Sequence, residues 1–315
     1  MDPHTRRPRR ITGLAGLLRA MRDLGLMGHA ATHDRRLEQF TADDGQPIPV
    51  RVLGAGLPVV LVHGLGCSHH HWMPVAKRMC RQHRVLAWDA RAHGDGWLRP
   101  GSSVTLARLA ADLRQLLDHF ELERVALVGH SMGALTVLQY LQDHGCDRVA
   151  AVALVDQSPR IVTDDTWRLG LFGGCSQEML LGLLGGARRD LVETVLHEVE
   201  TWTSGWLRWR LAPDAALGRL LRRWLSGLDT TPLIDLAESL ALADFRALLP
   251  SLQVPLWVVL GGRSPHYGGV PLERYYRQVV PHASVTVYPD SGHSPHVAEP
   301  GRFARDLLRF LEDHA

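Results

Sequence analysis

Val125-Ala126-Leu127-Val128-Gly129-His130-Ser131-Met132-Gly133-Ala134 runs from an apolar segment through Gly-x-Ser-x-Gly straight into helix-forming residues. A strand-to-helix turn this tight forces its central residue into a strained backbone conformation, and side chains two positions to either side would collide. Gly129 and Gly133 remove those collisions. The strain exposes the Ser131 hydroxyl above the sheet, at the amino end of a helix, where the dipole favours a developing anion. Ser131 is therefore the candidate nucleophile of a nucleophile elbow.

Working outward, the same apolar strand type recurs on both sides. Pro58-Val59-Val60-Leu61-Val62 ends in His63-Gly64-Leu65-Gly66, and Val85-Leu86-Ala87-Trp88 leads into Asp89-Ala90-Arg91-Ala92-His93-Gly94. Val149 to Val155, Leu256 to Leu260 and Ser284 to Tyr288 continue the series, with helical periodicity over Leu106 to Phe120 and from Ser131 to about Asp143. Continuous apolar strands separated by helices imply a parallel sheet covered on both faces. Before them, Leu37 to Thr41 and Ile48 to Leu53 flank Asp43-Asp44-Gly45 and read as a β-hairpin.

Two regions break the rhythm. Residues 1–35 carry Arg6, Arg7, Arg9 and Arg10 before Ile11, Leu14, Leu17, Leu18, Met21 and Leu24 at helical spacing. Arg19, Arg22 and Asp23 interrupt the apolar stretch and no Ala-x-Ala site follows, so it reads as an amphipathic extension rather than an export signal. Such a helix suits a cover for the body, a homodimer contact or a membrane-surface contact. Between Ser158 and about Asp244, helical segments carry Trp167, Trp202, Trp206, Trp209 and Trp224, with breaks at Gly173-Gly174 and Gly185-Gly186. This is read as an inserted helical cap over 158–244, dividing a core of 36–157 and 245–315.

Composition narrows the class. A net charge of +2 gives no case for nucleic acid as a partner. Cys67, Cys80, Cys146 and Cys175 lack CxxC spacing, which suggests neither a zinc site nor a disulfide framework. No run reaches the roughly 18 to 20 apolar residues of a transmembrane segment, and a cytoplasmic protein is expected. His69-His70-His71 hints at metal, but three adjacent side chains are expected to point in different directions, so the run reads as a solvated or pocket-lining loop.

Together these residues resemble the α/β-hydrolase fold, and the resemblance covers nearly everything after residue 36. His63-Gly64, Asp89 to Gly94, Gly129 to Gly133 and Gly292-His293 match four family segments in order. The resemblance implies a mostly parallel eight-stranded sheet flanked by helices, with Ser131 as nucleophile, His293 as general base, and the backbone N–H groups of Leu65 and Met132 as the oxyanion hole. It requires no metal and no organic cofactor. Most of the family carries its acid in a Gly-x-x-Asp pattern after the strand matched by Leu256 to Leu260; here the segment is Gly261-Gly262-Arg263-Ser264, and Ser264 cannot supply the charge. Part of the family places it one strand earlier, where Asp156 stands. Asp290, three residues before His293, reads as a turn residue.

The expectation is a serine hydrolase cleaving an ester, thioester or lactone through an acyl-enzyme. His63, Gly64, His130 and Trp167 are the expected contacts for a lipophilic small molecule under the cap. Epoxide hydrolase and dehalogenase chemistry need a carboxylate where Ser131 stands. An acyltransferase or cyclase, a cofactor-free lyase and a non-catalytic ligand-binding protein remain open at this point, because fold alone does not choose among them.

Overall fold

The computed structural model describes residues 37–190, 192–194, 215, 218–219, 222, 231–267 and 270–314. The expected N-terminal helix and Trp202, Trp206, Trp209 and Trp224 lie outside them. Among the described residues eight strands form one sheet, in the order β1-β2-β4-β3-β5-β6-β7-β8. They are β1 (Glu38–Thr41), β2 (Pro47–Leu53), β3 (Leu57–Val62), β4 (His83–Trp88), β5 (Val125–His130), β6 (Val149–Val155), β7 (Leu256–Gly261) and β8 (Ser284–Tyr288). β1 and β2 form the expected antiparallel hairpin, β2 pairs antiparallel with β4, and every later pairing is parallel.

Alternation along the strands explains why they read as unbroken apolar runs. Val60 and Val62 of β3, Leu127 of β5 and Val258 of β7 pack on one face, while Val59, Leu61, Val128 and Val259 pack on the other. Both faces are covered. The first carries α2 (Leu106–His119) and α3 (Met132–His144) through residues such as Leu113 and Leu138; the second carries α1 (Met73–Met79) and α8 (Pro300–His314) through Val75, Met79, Phe303 and Leu307. Between β6 and β7 the described residues include α4 (Gln177–Arg189) and α5 (Thr231–Ala241). α5 lies against α2, with Ser239 Oγ accepting from the Leu106 amide at 2.9 Å. α6 (Val270–Val279) precedes β8 and α7 (Pro295–Ala298) follows it.

The topology switches direction where the chemistry was expected. From β3 the chain moves outward to β4, then returns across β3 to β5 and proceeds the other way to β6. At such a switch the connections leave the carboxyl ends in opposite directions and open a cleft between them. His63-Gly64 follows β3 and Ser131 follows the neighbouring β5, so the two segments lie side by side at that switch.

Arg91 ties this edge of the sheet to its surroundings. Its fully buried guanidinium donates to both oxygens of Asp112 on α2, at 2.6 and 2.7 Å, to Asp44 in the hairpin turn at 2.7 Å and to the Ser103 carbonyl at 3.1 Å. Burial pushes the Asp112 carboxyl up even against the nearby guanidinium. Removing one member of such a pair strands the other charge without water. Arg91→Met is expected to lower unfolding stability by about 3–5 kcal/mol in urea titrations, and Arg91→Met with Asp112→Leu to recover most of it; equal losses in the two variants would contradict the account.

Candidate active site

The turn after β5 has the geometry its glycines demand. Ser131 sits at φ 54°, ψ −120°, a region that L-residues rarely occupy, and its amide donates to the Val155 carbonyl at 3.1 Å. A Cβ at Gly129 would lie 2.4 Å from the Gly133 carbonyl oxygen, and one at Gly133 would lie 2.2 Å from that of Val62. Neither position tolerates a side chain. Met132, buried, is the first residue of α3, where the backbone amide has no intrahelical acceptor. Gly64 brings the other expected donor close: a Cβ there would lie 2.9 Å from His130 Nδ1 and 3.3 Å from Ser131 Cβ, so the loop bearing Leu65 meets the turn at backbone range.

His293 arrives on the loop after β8, and its Nδ1 pairs with Asp156 Oδ2 at 2.7 Å. Asp156 follows β6 at φ 49°, its amide bonded to the Val259 carbonyl at 2.7 Å. The carboxylate is fully buried and both of its oxygens are hydrogen-bonded. The Gly261 amide donates to Oδ1 at 2.8 Å, and Ser264 Oγ donates to Oδ2 at 2.6 Å. Ser264, which by its sequence merely lacks a charge, thus supplies a hydrogen bond to the carboxylate one strand away. Asp290 points elsewhere, pairing with Arg263 at the surface.

Further histidines are buried at this end of the sheet, and burial keeps them neutral. The His63 ring is held between the Gly64 carbonyl on Nδ1 (2.8 Å) and the Ala90 amide on Nε2 (3.0 Å), and desolvation lowers its pKa to about 3. An acceptor at Nε2 fixes the proton on Nδ1. His63 therefore rivets the loops after β3 and β4 together. His130 Nε2 donates to the His293 carbonyl at 2.9 Å, and burial holds its pKa well below the usual value. It braces the histidine loop against the turn after β5.

Two further histidines went unnoticed in the sequence. The His266 ring centroid lies 4.1 Å from that of His293, and His296 stacks on Trp72 at 4.0 Å while sitting 4.5 Å from His130. Both are buried with Nδ1 lacking a hydrogen-bond partner among the described residues, and desolvation drives both pKa values well down. Their sequence signal is only Ser-Pro-His, at 264–266 and again at 294–296.

Trp167 is buried, donates from Nε1 to the Arg160 carbonyl at 2.9 Å and meets Tyr275 edge-on at 4.8 Å. The run His69-His70-His71 departs from expectation. The rings of His69 and His70 come together with centroids 4.0 Å apart, because a 3-10 turn, not an extended loop, carries the three residues.

With this geometry in place, comparison with known proteins decides the family. A family model described as "Alpha/beta hydrolase family" matches residues 59–306. The chain belongs to the alpha/beta hydrolase family. This α/β-hydrolase is 30% identical over 273 residues to a pimeloyl-[acyl-carrier protein] methyl ester esterase of Chromobacterium violaceum, covering 84% of this chain and 98% of that protein. It is 25% identical over 233 residues to 3-oxoadipate enol-lactonase 1 of Acinetobacter baylyi, covering 72% and 79%. Its fold matches an esterase structure from Exiguobacterium antarcticum with a TM-score of 0.70 at 20% identity, over 87% of this chain and 98% of that one. Among the described residues no helix is long and apolar enough to cross a membrane.

The neutral histidines set the pH response of this α/β-hydrolase. His63, His130, His266 and His296 hold fewer protons folded than unfolded once the pH falls below about 6.5. Their contribution is complete above that pH and is lost as the pH drops toward the folded values, by up to about 1.4 kcal/mol per pH unit for each. Unfolding stability measured in urea is expected to decline steeply from pH 6.5 to 5, and His296→Phe, which keeps an aromatic ring on Trp72, to flatten the decline. A profile unchanged by that substitution would contradict the assignment.

Proposed function

We propose that Ser131, His293 and Asp156 act as a catalytic triad, and that this ester-cleaving α/β-hydrolase works through an acyl-enzyme on a carboxylic ester, thioester or lactone of a lipophilic small molecule. The observation carrying the reading is the 2.7 Å bond from His293 Nδ1 to a buried carboxylate, at the same sheet edge where Ser131 is held in a strained turn. With its Nδ1 proton given to Asp156, His293 has Nε2 as its basic nitrogen.

In this mechanism Nε2 accepts the Ser131 proton as Oγ attacks the acyl carbon. The carbonyl π electrons move to oxygen, and the N–H groups of Leu65 and Met132 stabilise the oxyanion; losing one such donor typically costs about 3 kcal/mol in the barrier. Collapse expels the alcohol or thiol, which takes the proton from His293. Water then repeats the sequence on the acyl-enzyme, releasing acid and restoring Ser131.

The names of the relatives support this class, since methyl ester and enol-lactone cleavage both break an acyl–oxygen bond. A lipophilic substrate under a 158–244 cap is supported at one edge. Phe172, in the turn Leu171–Gly173, donates its amide to the His266 carbonyl at 2.7 Å; the residue is 55% exposed and its ring lies 5.5 Å from the His266 ring. The insertion thereby reaches the rim beside His293 with an apolar side chain.

The test is hydrolysis of p-nitrophenyl esters of graded acyl length. Asp156→Asn is expected to lower kcat on the order of 10⁴-fold with folding intact. Because Ser264 Oγ already touches the oxygen that receives His293, an aspartate at 264 comes within reach of the same nitrogen. Adding Ser264→Asp to Asp156→Asn is therefore expected to restore about tenfold or more of the lost rate. Near-wild-type turnover by Asp156→Asn would remove Asp156 from the triad.

A further inference from the structure

Beyond the triad, one group of side chains has no part in ester chemistry. His69, His70 and Asp95 each bring one ligand-type atom to a common point, all three within 4.8 Å of one another. Two of the donors come from the turn after β3 and the third from the loop after β4, so chain segments 25 residues apart in sequence converge there.

Asp95 Oδ2 is buried and has no hydrogen-bond partner among the described residues. A buried carboxylate oxygen without a donor or cation is costly. Around it, a second carboxylate organises the group. Fully buried Asp89 accepts from His69 Nδ1 at 2.8 Å, from the His69 amide at 2.6 Å and from the Asp95 amide at 2.9 Å. With its Nδ1–H given to Asp89, the His69 ring has Nε2 as its basic nitrogen. This is the carboxylate–histidine arrangement that orients metal-binding imidazoles and raises their basicity.

We propose that His69, His70 and Asp95 form a site for a divalent transition metal of the zinc class, with Asp89 orienting His69. Two imidazole nitrogens and one carboxylate oxygen suit Zn²⁺ or its first-row neighbours, whereas Ca²⁺ and Mg²⁺ select oxygen donors throughout. A fourth position is left for water. The ion neutralises Asp95 and ties the turn after β3 to the loop after β4. That turn continues from His63-Gly64-Leu65, so the metal clamps the segment that carries one expected oxyanion donor. Its role is structural, and the proposal stands whether or not the triad assignment holds.

Chelator-treated, full-length protein without a polyhistidine tag is titrated with Zn²⁺ against a chromophoric competitor, and thermal unfolding is followed in parallel. One zinc per chain and a raised unfolding midpoint are expected. His70→Ala and Asp95→Asn should each weaken binding about tenfold or more, and Asp89→Asn about 10- to 100-fold through the orientation of His69. His282→Ala, which alters an exposed histidine before β8, should leave the affinity unchanged. X-ray absorption of the Zn²⁺-loaded protein should show imidazole scattering that falls in His70→Ala. Failure to bind zinc at one equivalent, or binding that survives both His70→Ala and Asp95→Asn, would overturn the proposal.

Discussion

One buried carboxylate oxygen sets the arrangement at the carboxyl edge of the sheet. Asp156 Oδ2 meets His293 Nδ1 and Ser264 Oγ together, while Oδ1 takes the Gly261 amide. A charge removed from water persists only when such donors replace its hydration. The three donors come from β7, the loop after it and the loop after β8, so satisfying Asp156 fixes the relative positions of β6, β7 and the histidine loop. Ser264, which carries no charge of its own, serves this carboxylate as a hydrogen-bond donor from the loop after β7.

The rest of the edge is built from neutral histidines used as struts. His63 joins the loops after β3 and β4, and His130 holds the backbone of His293 against the turn after β5. His266 and His296 fill space against His293 and Trp72. An imidazole suits these places because it packs as a flat ring and still carries a donor and an acceptor. The same choice makes the fold sensitive to acid, since protonating any of them places a charge in the core.

What could be read in advance follows from where the physical demand leaves a local mark. The strained turn at Ser131 requires glycine at 129 and 133, and buried parallel strands require unbroken apolar runs, so the sheet, the hairpin and the turn were legible in the sequence. Asp156 was legible as a carboxylate at the end of β6, though only by analogy with relatives. Ser264 was read as a loss because a donor to a distant acceptor leaves no pattern of its own. His266 and His296 were missed for the same reason, as their contacts join loops far apart in the chain. The packing of Trp167 on Tyr275 left no mark either, since a tryptophan in a helical insertion looks alike whether it packs inward or lines a cavity. The convergence of His69 and His70 depends on a 3-10 turn that the His-rich run does not signal.

The central claim is that Asp156 and His293 activate Ser131. The most direct measurement is the rate of covalent labelling by a fluorophosphonate probe, with the modified peptide mapped by mass spectrometry in wild type, Ser131→Ala and Asp156→Asn. The account predicts rapid labelling confined to the peptide bearing Ser131, abolished in Ser131→Ala and slowed by orders of magnitude in Asp156→Asn. Labelling elsewhere in the chain, no labelling of the folded wild type, or an Asp156→Asn rate equal to wild type would contradict it.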